Sequence, residues 1–239
     1  MYDKPRHNPL SFLSRMKRLS EGLLCLLAAG AVTFVACTND PYESGDAAYS
    51  YLRADFVDAY TGADTCRVVS VLTDDDEQMD FAEPISCSWA HVADSAYRAL
   101  LYYNKVETGP VPISLVPVLF LRPKPLEDDE AMHTDPVVFE SGWKSANGKY
   151  YNLGFAVKTG LAEEVDDRHV IGLVPVSETE NADGTKTIGM QLYHDRHGTP
   201  EYYSVRTYAS MALSDFRKGD TLRLSIPTYD GVVVRDIVR

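Results

Sequence analysis

One cysteine in this chain stands where a thiol has a specific use. Cys37 ends the sequence Phe34-Val35-Ala36-Cys37, directly after a small residue, and follows a run from Gly22 to Ala36 that is apolar apart from Thr33. Arg15, Lys17 and Arg18 precede that run and form a cationic patch suited to the cytoplasmic side of a membrane. A comfortable span needs about 20 apolar residues, so the run is short for an anchor and fits the apolar region of an export signal. The cleavage residues resemble a bacterial lipobox, in which a diacylglycerol thioether forms on the cysteine before the peptidase cuts. The freed α-amine then takes a further acyl chain, and two or more chains hold a protein stably on a bilayer. We therefore expect residues 1–36 to be removed and Cys37 to be lipidated. The stretch containing Pro5, His7 and Pro9 is untypical of a signal start, whereas Met16-Lys17-Arg18 is typical, and a start at Met1 or at Met16 leaves the same mature chain.

The remaining titratable groups suggest sites more weakly. Cys25 leaves with the signal, so Cys66 and Cys87 are the two that could pair in an oxidising compartment. Closing a loop of about 22 residues would stabilise the fold by ~3 kcal/mol if the geometry allows, and two buried thiols are the alternative. His194-Asp195-Arg196-His197 offers two imidazoles and a carboxylate, but histidines three apart converge on a helix, and this segment ends a strand pattern before Gly198 and Pro200. Gly142 to Lys149 mimics a phosphate loop with the wrong glycine spacing and Tyr150 in place of a magnesium-binding hydroxyl, so it reads as a hairpin. Thr179, Asn181, Asp183 and Gly184 mimic part of a calcium loop, with Met190 where the closing Glu should stand, and also read as a hairpin. The acidic runs Asp74 to Glu77 and Glu163 to Asp167 read as solvated loop tips. No nucleophile elbow is present, and neither a metal nor another cofactor is expected. Paired carboxylates for glycoside hydrolysis stay open, because their spacing is spatial rather than sequential.

Charge narrows the partners. The chain carries a net −12, and removing residues 1–36 brings it to −15. Such a body repels polyanions, so nucleic acid is not an expected ligand.

The elements that must position these groups are strands. Thr38 to Asp46 is polar and turn-rich, a tether after the lipid, so residues 37–46 are expected to be flexible linkage. Tyr49 to Val57, Val68 to Leu72, Gln78 to Phe81, Ala96 to Val106 and Val111 to Leu121 read as five strands, the last irregular at Pro112 and Pro117. Five short strands suggest a small barrel, placed at residues 47–124. Prolines and acids from Pro125 to Thr134 read as a linker. Period-two alternation resumes with Tyr151, Leu153, Phe155 and Val157 on one face, as in a half-buried strand. Val170 to Val176, Ile188 to Leu192, Leu222 to Ile226 and Val232 to Val238 follow, separated by Asp183-Gly184, Gly219-Asp220 and Asp230-Gly231 turns. Met211 to Phe216 suits a single helical turn. Residues 135–239 thus read as a β-sandwich, and the whole as all-β.

The residue order after Asp135 is distinctive. Asp135-Pro136-Val137, Trp143, Tyr150-Tyr151-Asn152-Leu153 with Phe155, His169 with Leu173-Val174, and Leu192-Tyr193-His194 with Gly198 resembles the NigD-like lipoprotein family. The resemblance implies a lipoprotein signal, an N-terminal OB-type domain and a C-terminal β-sandwich. It implies no catalytic residues. Two departures stand out: Gly154 and Ala156 put small residues on the strand face opposite Leu153 and Phe155, and Pro200 follows Gly198 where the family suggests an acid.

The expectation is a lipid-anchored envelope protein on the outer membrane, at its periplasmic face or the cell surface. The acidic flank Asp40, Glu43 and Asp46 favours that sorting. It would act as a binding module for protein, peptide or glycan, with Tyr97, Tyr102 and Tyr103 as candidate contacts. A polymer-directed hydrolase and a bacteriocin-immunity accessory are the alternatives.

Overall fold

The computed structural model describes residues 52–106, 109–161 and 168–239. Cys37, the signal and the tether lie outside the described residues. Thirteen strands and one short 3-10 turn make up the described chain, so the body is all-β.

The first sheet consists of β1 (Leu52–Thr61), β2 (Arg67–Thr73), β3 (Gln78–Ser86), β4 (Ala96–Val106) and β5 (Gly109–Pro117), in spatial order β3-β2-β1-β4-β5 with every pairing antiparallel. It curls into a half-barrel. Its inner core holds Val57, Ala59, Val68, Val71, Met79, Ala99, Leu101, Tyr103 and Leu115, with Phe81, Trp89 and Tyr97 packed at the rim. β5 is an edge strand carrying Pro110, Pro112 and Pro117, residues that cannot donate to a further strand.

Two four-stranded sheets form the sandwich. One has the order β13-β12-β10-β9, from β9 (Val170–Glu180), β10 (Lys186–Asp195), β12 (Thr221–Thr228) and β13 (Gly231–Val238). The other has the order β6-β11-β8-β7, from β6 (Leu119–Leu121), β7 (Val138–Lys144), β8 (Tyr150–Thr159) and β11 (Tyr203–Ala212). Leu153, Phe155 and Val157 of β8 meet Met190 and Leu192 of β10 and Leu222, Leu224 and Ile226 of β12 in one apolar core. β10 and β12 run parallel, as do β6 and β11, which requires the long connections observed between them.

Several expectations are corrected. Val111 to Leu121 is not one strand: Pro117 ends β5, and after Val118 the chain joins the sandwich as β6, paired with Ala209 to Met211. β3 runs on through Pro84, and β7 and β11 were not apparent from the sequence pattern. β8 is buried on both faces rather than one, with Tyr151 to Val157 all buried. The reason lies in the first sheet, whose Phe56 and Arg98 face outward onto β7, β8 and β11. The Phe56 ring meets Trp143 edge-on at 5.4 Å and Tyr208 at 5.6 Å. On that covered face Gly154 is crowded by its own sheet: a Cβ there would lie 2.9 Å from the Ser141 hydroxyl of β7 and 3.3 Å from the Tyr208 ring of β11.

The hairpin readings hold. Gly148 (φ 68°) turns β7 into β8, and Gly184 (φ 80°) turns β9 into β10, each in the left-handed region that glycine occupies without strain. The expected helical turn is a 3-10 turn at Leu213–Asp215.

Candidate ligand-binding site

The stacking of the first sheet on the sandwich is fixed by one buried cation. Arg98 pairs with Asp58 across β1 and β4, so both project from the outer face of the sheet. Its guanidinium reaches Asp58 at 3.3 Å and both carboxylate oxygens of Asp74 at 2.7 Å, and donates to the Ser210 hydroxyl at 3.1 Å and to Asn152 Oδ1 at 3.3 Å. The Ser210 hydroxyl donates to Asn152 Oδ1, and Asn152 Nδ2 donates to Asp74. Tyr150 closes the set, its ring 3.9 Å below the guanidinium. Burial, and then the negative charge of Asp58, push the Tyr150 hydroxyl well above the usual phenol range. Every polar group in the network has a partner, the condition under which burying charge is tolerable. The first acid of the run at Asp74 to Glu77 is thus a structural ligand of Arg98. Asp76, by contrast, pairs with Lys149 at 2.9 Å at the surface.

Beside this network opens a cleft of about 370 Å³. Tyr97 lines it from β4 and Trp89 from the turn between β3 and β4, Phe120 and Arg122 from the crossing chain, Tyr150 from β8, with Arg98 and Asp58 also in its lining. The aromatics form two edge-to-face pairs, Trp89 with Tyr97 at 5.7 Å and Phe120 with Tyr150 at 6.2 Å. Arg122 lies over the Phe120 ring at 5.0 Å, is exposed, and has no carboxylate partner among the described residues. A second cleft of about 370 Å³ shares Phe120 and Arg122 and continues past Lys124 to Glu130, Tyr193 and the β9 residues Val170 to Val174. Phe120 and Arg122 therefore stand between two clefts. Volumes of this order suit small-molecule recognition.

The three tyrosines expected as contacts separate. Tyr97 lines the cleft, while its hydroxyl accepts the Val92 N–H at 2.7 Å. Tyr103 is buried in the half-barrel core and donates its hydroxyl to Asp55 at 2.7 Å. Burial, and then that carboxylate, raise the Tyr103 hydroxyl far above the ordinary range. Tyr102 is half-buried and lines neither cleft. Trp89, Phe120, Arg122 and Tyr150 were missed because they come from different elements. Alternation within one strand carries no signal that four separate segments converge.

Cys66 and Cys87 are adjacent free thiols, the Cys87 N–H donating to the Cys66 carbonyl at 2.8 Å. Cys87 is buried and Cys66 partly exposed, and burial raises the Cys87 thiol.

His194 is buried at the end of β10, with Nδ1 3.0 Å from the Asp135 carbonyl. Its partner is not His197 but His169, stacked on it with Nδ1 2.8 Å from His194 Nε2. Burial holds the His194 imidazole below the usual range. Among the described residues no group of three or more His, Cys, Asp and Glu is arranged to hold a metal ion.

A family model described as the NigD-like C-terminal β-sandwich domain matches residues 117–237, which span the crossing at Val118 and the sandwich up to Ile237 in β13. The chain belongs to the NigD-like family. Eight solved chains are similar to the NigD-like chain, among them the following three. A NigD-like immunity protein from Bacteroides caccae is 24% identical with a TM-score of 0.59, the match covering 77% of this chain and 91% of that one. A putative toxin-related protein from Parabacteroides distasonis is 16% identical at TM-score 0.56, covering 79% and 93%. A protein of unknown function from Bacteroides vulgatus is 12% identical at TM-score 0.57, covering 79% and 90%. At these identities the likeness is one of fold. A search of curated proteins found no match.

Proposed function

We propose that this NigD-like protein is a lipid-anchored envelope protein of the outer membrane whose folded body binds a ligand in the cleft beside Arg98, without turnover. The observation that carries this reading is the cleft itself. Four aromatic side chains from four segments converge on it, next to a fully partnered ionic network that holds the two halves of its wall in place. Preorganised walls lower the ordering cost of binding. Among the described residues the lining holds one carboxylate, Asp58, and it is engaged by Arg98, which disfavours a hydrolase with an acid and a base in this cleft.

The anchor in this reading is Cys37. Export also bears on Cys66 and Cys87. In the envelope the two thiols would give up two protons and two electrons to the disulfide of a thiol oxidoreductase and become bridged.

The test is a heat-shift titration of the mature protein against three pools: mixed short peptides, neutral oligosaccharides and acidic oligosaccharides. Stabilisation by any pool that is lost when Tyr97 and Phe120 are both replaced by Ala supports a binding body. No response to any of the three overturns it. A second reading, protection against a toxin, draws on the name of the Bacteroides caccae relative. Unchanged bacteriocin sensitivity in a deletion strain would remove it.

A further inference from the structure

We propose that the two clefts flanking Phe120 and Arg122 form one trough for an acidic oligosaccharide, with sugar rings against the aromatic walls and a sugar carboxylate on Arg122. This deepens the binding-body reading and rests on it.

Three observations point to that chemistry. The first is charge. The mature body carries a net −15, yet the ridge between the clefts presents Arg122 and Lys124. Arg98 is saturated by Asp58 and Asp74, and among the described residues Lys124 pairs only with the exposed Glu127 at 3.6 Å. Arg122 has no such acid among the described residues, and its planar fork matches a carboxylate in two parallel hydrogen bonds.

The second is the lining. Trp89, Tyr97, Phe120 and Tyr150 bring large, stiff surfaces, which suit the C–H faces of pyranose rings.

The third separates a glycan from a peptide. An extended peptide needs main-chain partners, commonly a free sheet edge. Two of the sheet edges near the trough offer little. β5 carries three prolines, and β9 is already met by the incoming chain, with Pro123 bridging Leu173 and the Lys124 N–H donating to the Leu173 carbonyl at 2.9 Å. The edge at the trough itself is β6, three residues long, so an extended peptide would leave most of its amides unsatisfied, whereas a sugar ring carries no backbone to satisfy.

The experiment is calorimetric titration of the mature protein with tetramers prepared from polygalacturonate, alginate and heparan sulfate. Cellotetraose and tetraglutamate serve as neutral and peptide controls. The expected result is binding of at least one acidic tetramer, at least 10-fold tighter than cellotetraose, weakening with added salt, and reduced about 10-fold in Arg122→Ala. Arg122 is exposed, so this variant should fold, and an unchanged melting temperature checks it. Binding of tetraglutamate or cellotetraose alone would overturn the ligand class while keeping a binding body. Acidic binding unaffected by Arg122→Ala would overturn the assigned position. No binding by any of the five probes would overturn the proposal, and the pool titration then decides whether the binding-body reading falls with it.

Discussion

Replacing Arg98 by Met removes the cation that joins the first sheet to the sandwich while keeping most of its aliphatic volume. The Arg98 side chain is 2% exposed, Asp58 13% and Asp74 16%. Breaking a buried pair by deleting one partner costs roughly 3–5 kcal/mol, because the charge left behind is neither paired nor fully hydrated. Asp58 and Asp74 keep some access to water, which discounts that cost to about 2–3 kcal/mol, at and just below the bottom of the range. Two effects add to it. Ser210 and Asn152 lose a donor in a wholly buried position, and the Tyr150 ring loses its cation. For a body of this size 1 kcal/mol moves the melting temperature by about 2–4 °C, so Arg98→Met should lower it by about 5–10 °C. Urea unfolding of mature wild type and variant measures the difference. A companion variant isolates the cause: adding Asp74→Asn to Arg98→Met should recover part of the loss, since the stranded carboxylate is then neutral. Trp89 sits at the rim of the first core and Trp143 at the interface with Phe56, so their fluorescence should follow one transition in wild type. Arg98→Met within about 0.5 kcal/mol of wild type would refute the reasoning, since that is the scale of an ordinary surface substitution.

Other consequences follow from the same contacts. Gly154→Ala should cost about 1–3 kcal/mol by overpacking against Ser141 and Tyr208, read as a shift of the urea midpoint at constant slope. Protein isolated from the envelope with thiols alkylated should be lighter by about 2 Da than its reduced form if Cys66 and Cys87 are bridged, and Cys66→Ser should then lose up to ~3 kcal/mol. His194 is held neutral by burial beside His169, so its proton affinity is lower folded than unfolded. The unfolded state therefore binds the extra proton as pH falls through about 6.5, and stability should decline below that point. His194→Gln should flatten that part of the stability profile, and a profile equally steep in the variant would assign the decline elsewhere.

Much of this fold could be read from the sequence, and the reasons for the failures are physical. Ala96 to Val106 was legible as a strand because its alternation and flanking turns agree, and the Gly148 and Gly184 hairpins were legible because their φ demands glycine. β8 misled because alternation implies one wet face, and nothing within the strand announces that Phe56 and Arg98 cover the other. Gly154 marks how crowded that covered face is between Ser141 and Tyr208. Val111 to Leu121 looked continuous because both parts are apolar, although Pro117 marks where the chain changes sheet. The cleft was legible only at Tyr97. Its other walls, Trp89, Phe120 and Tyr150, are ordinary aromatics in sequence and become a site through the stacking that Arg98 holds.

The central claim is that this body is displayed on a lipid anchor with its cleft available for a ligand, and the anchor is the part most directly tested. Cells producing wild type and Cys37→Ser should be fractionated into soluble, inner-membrane and outer-membrane material and blotted for the protein. Wild type in the outer-membrane fraction, with Cys37→Ser uncleaved or released from it, is the expected result. Wild type in the soluble fraction, or Cys37→Ser processed and retained in the outer membrane like wild type, would contradict the account.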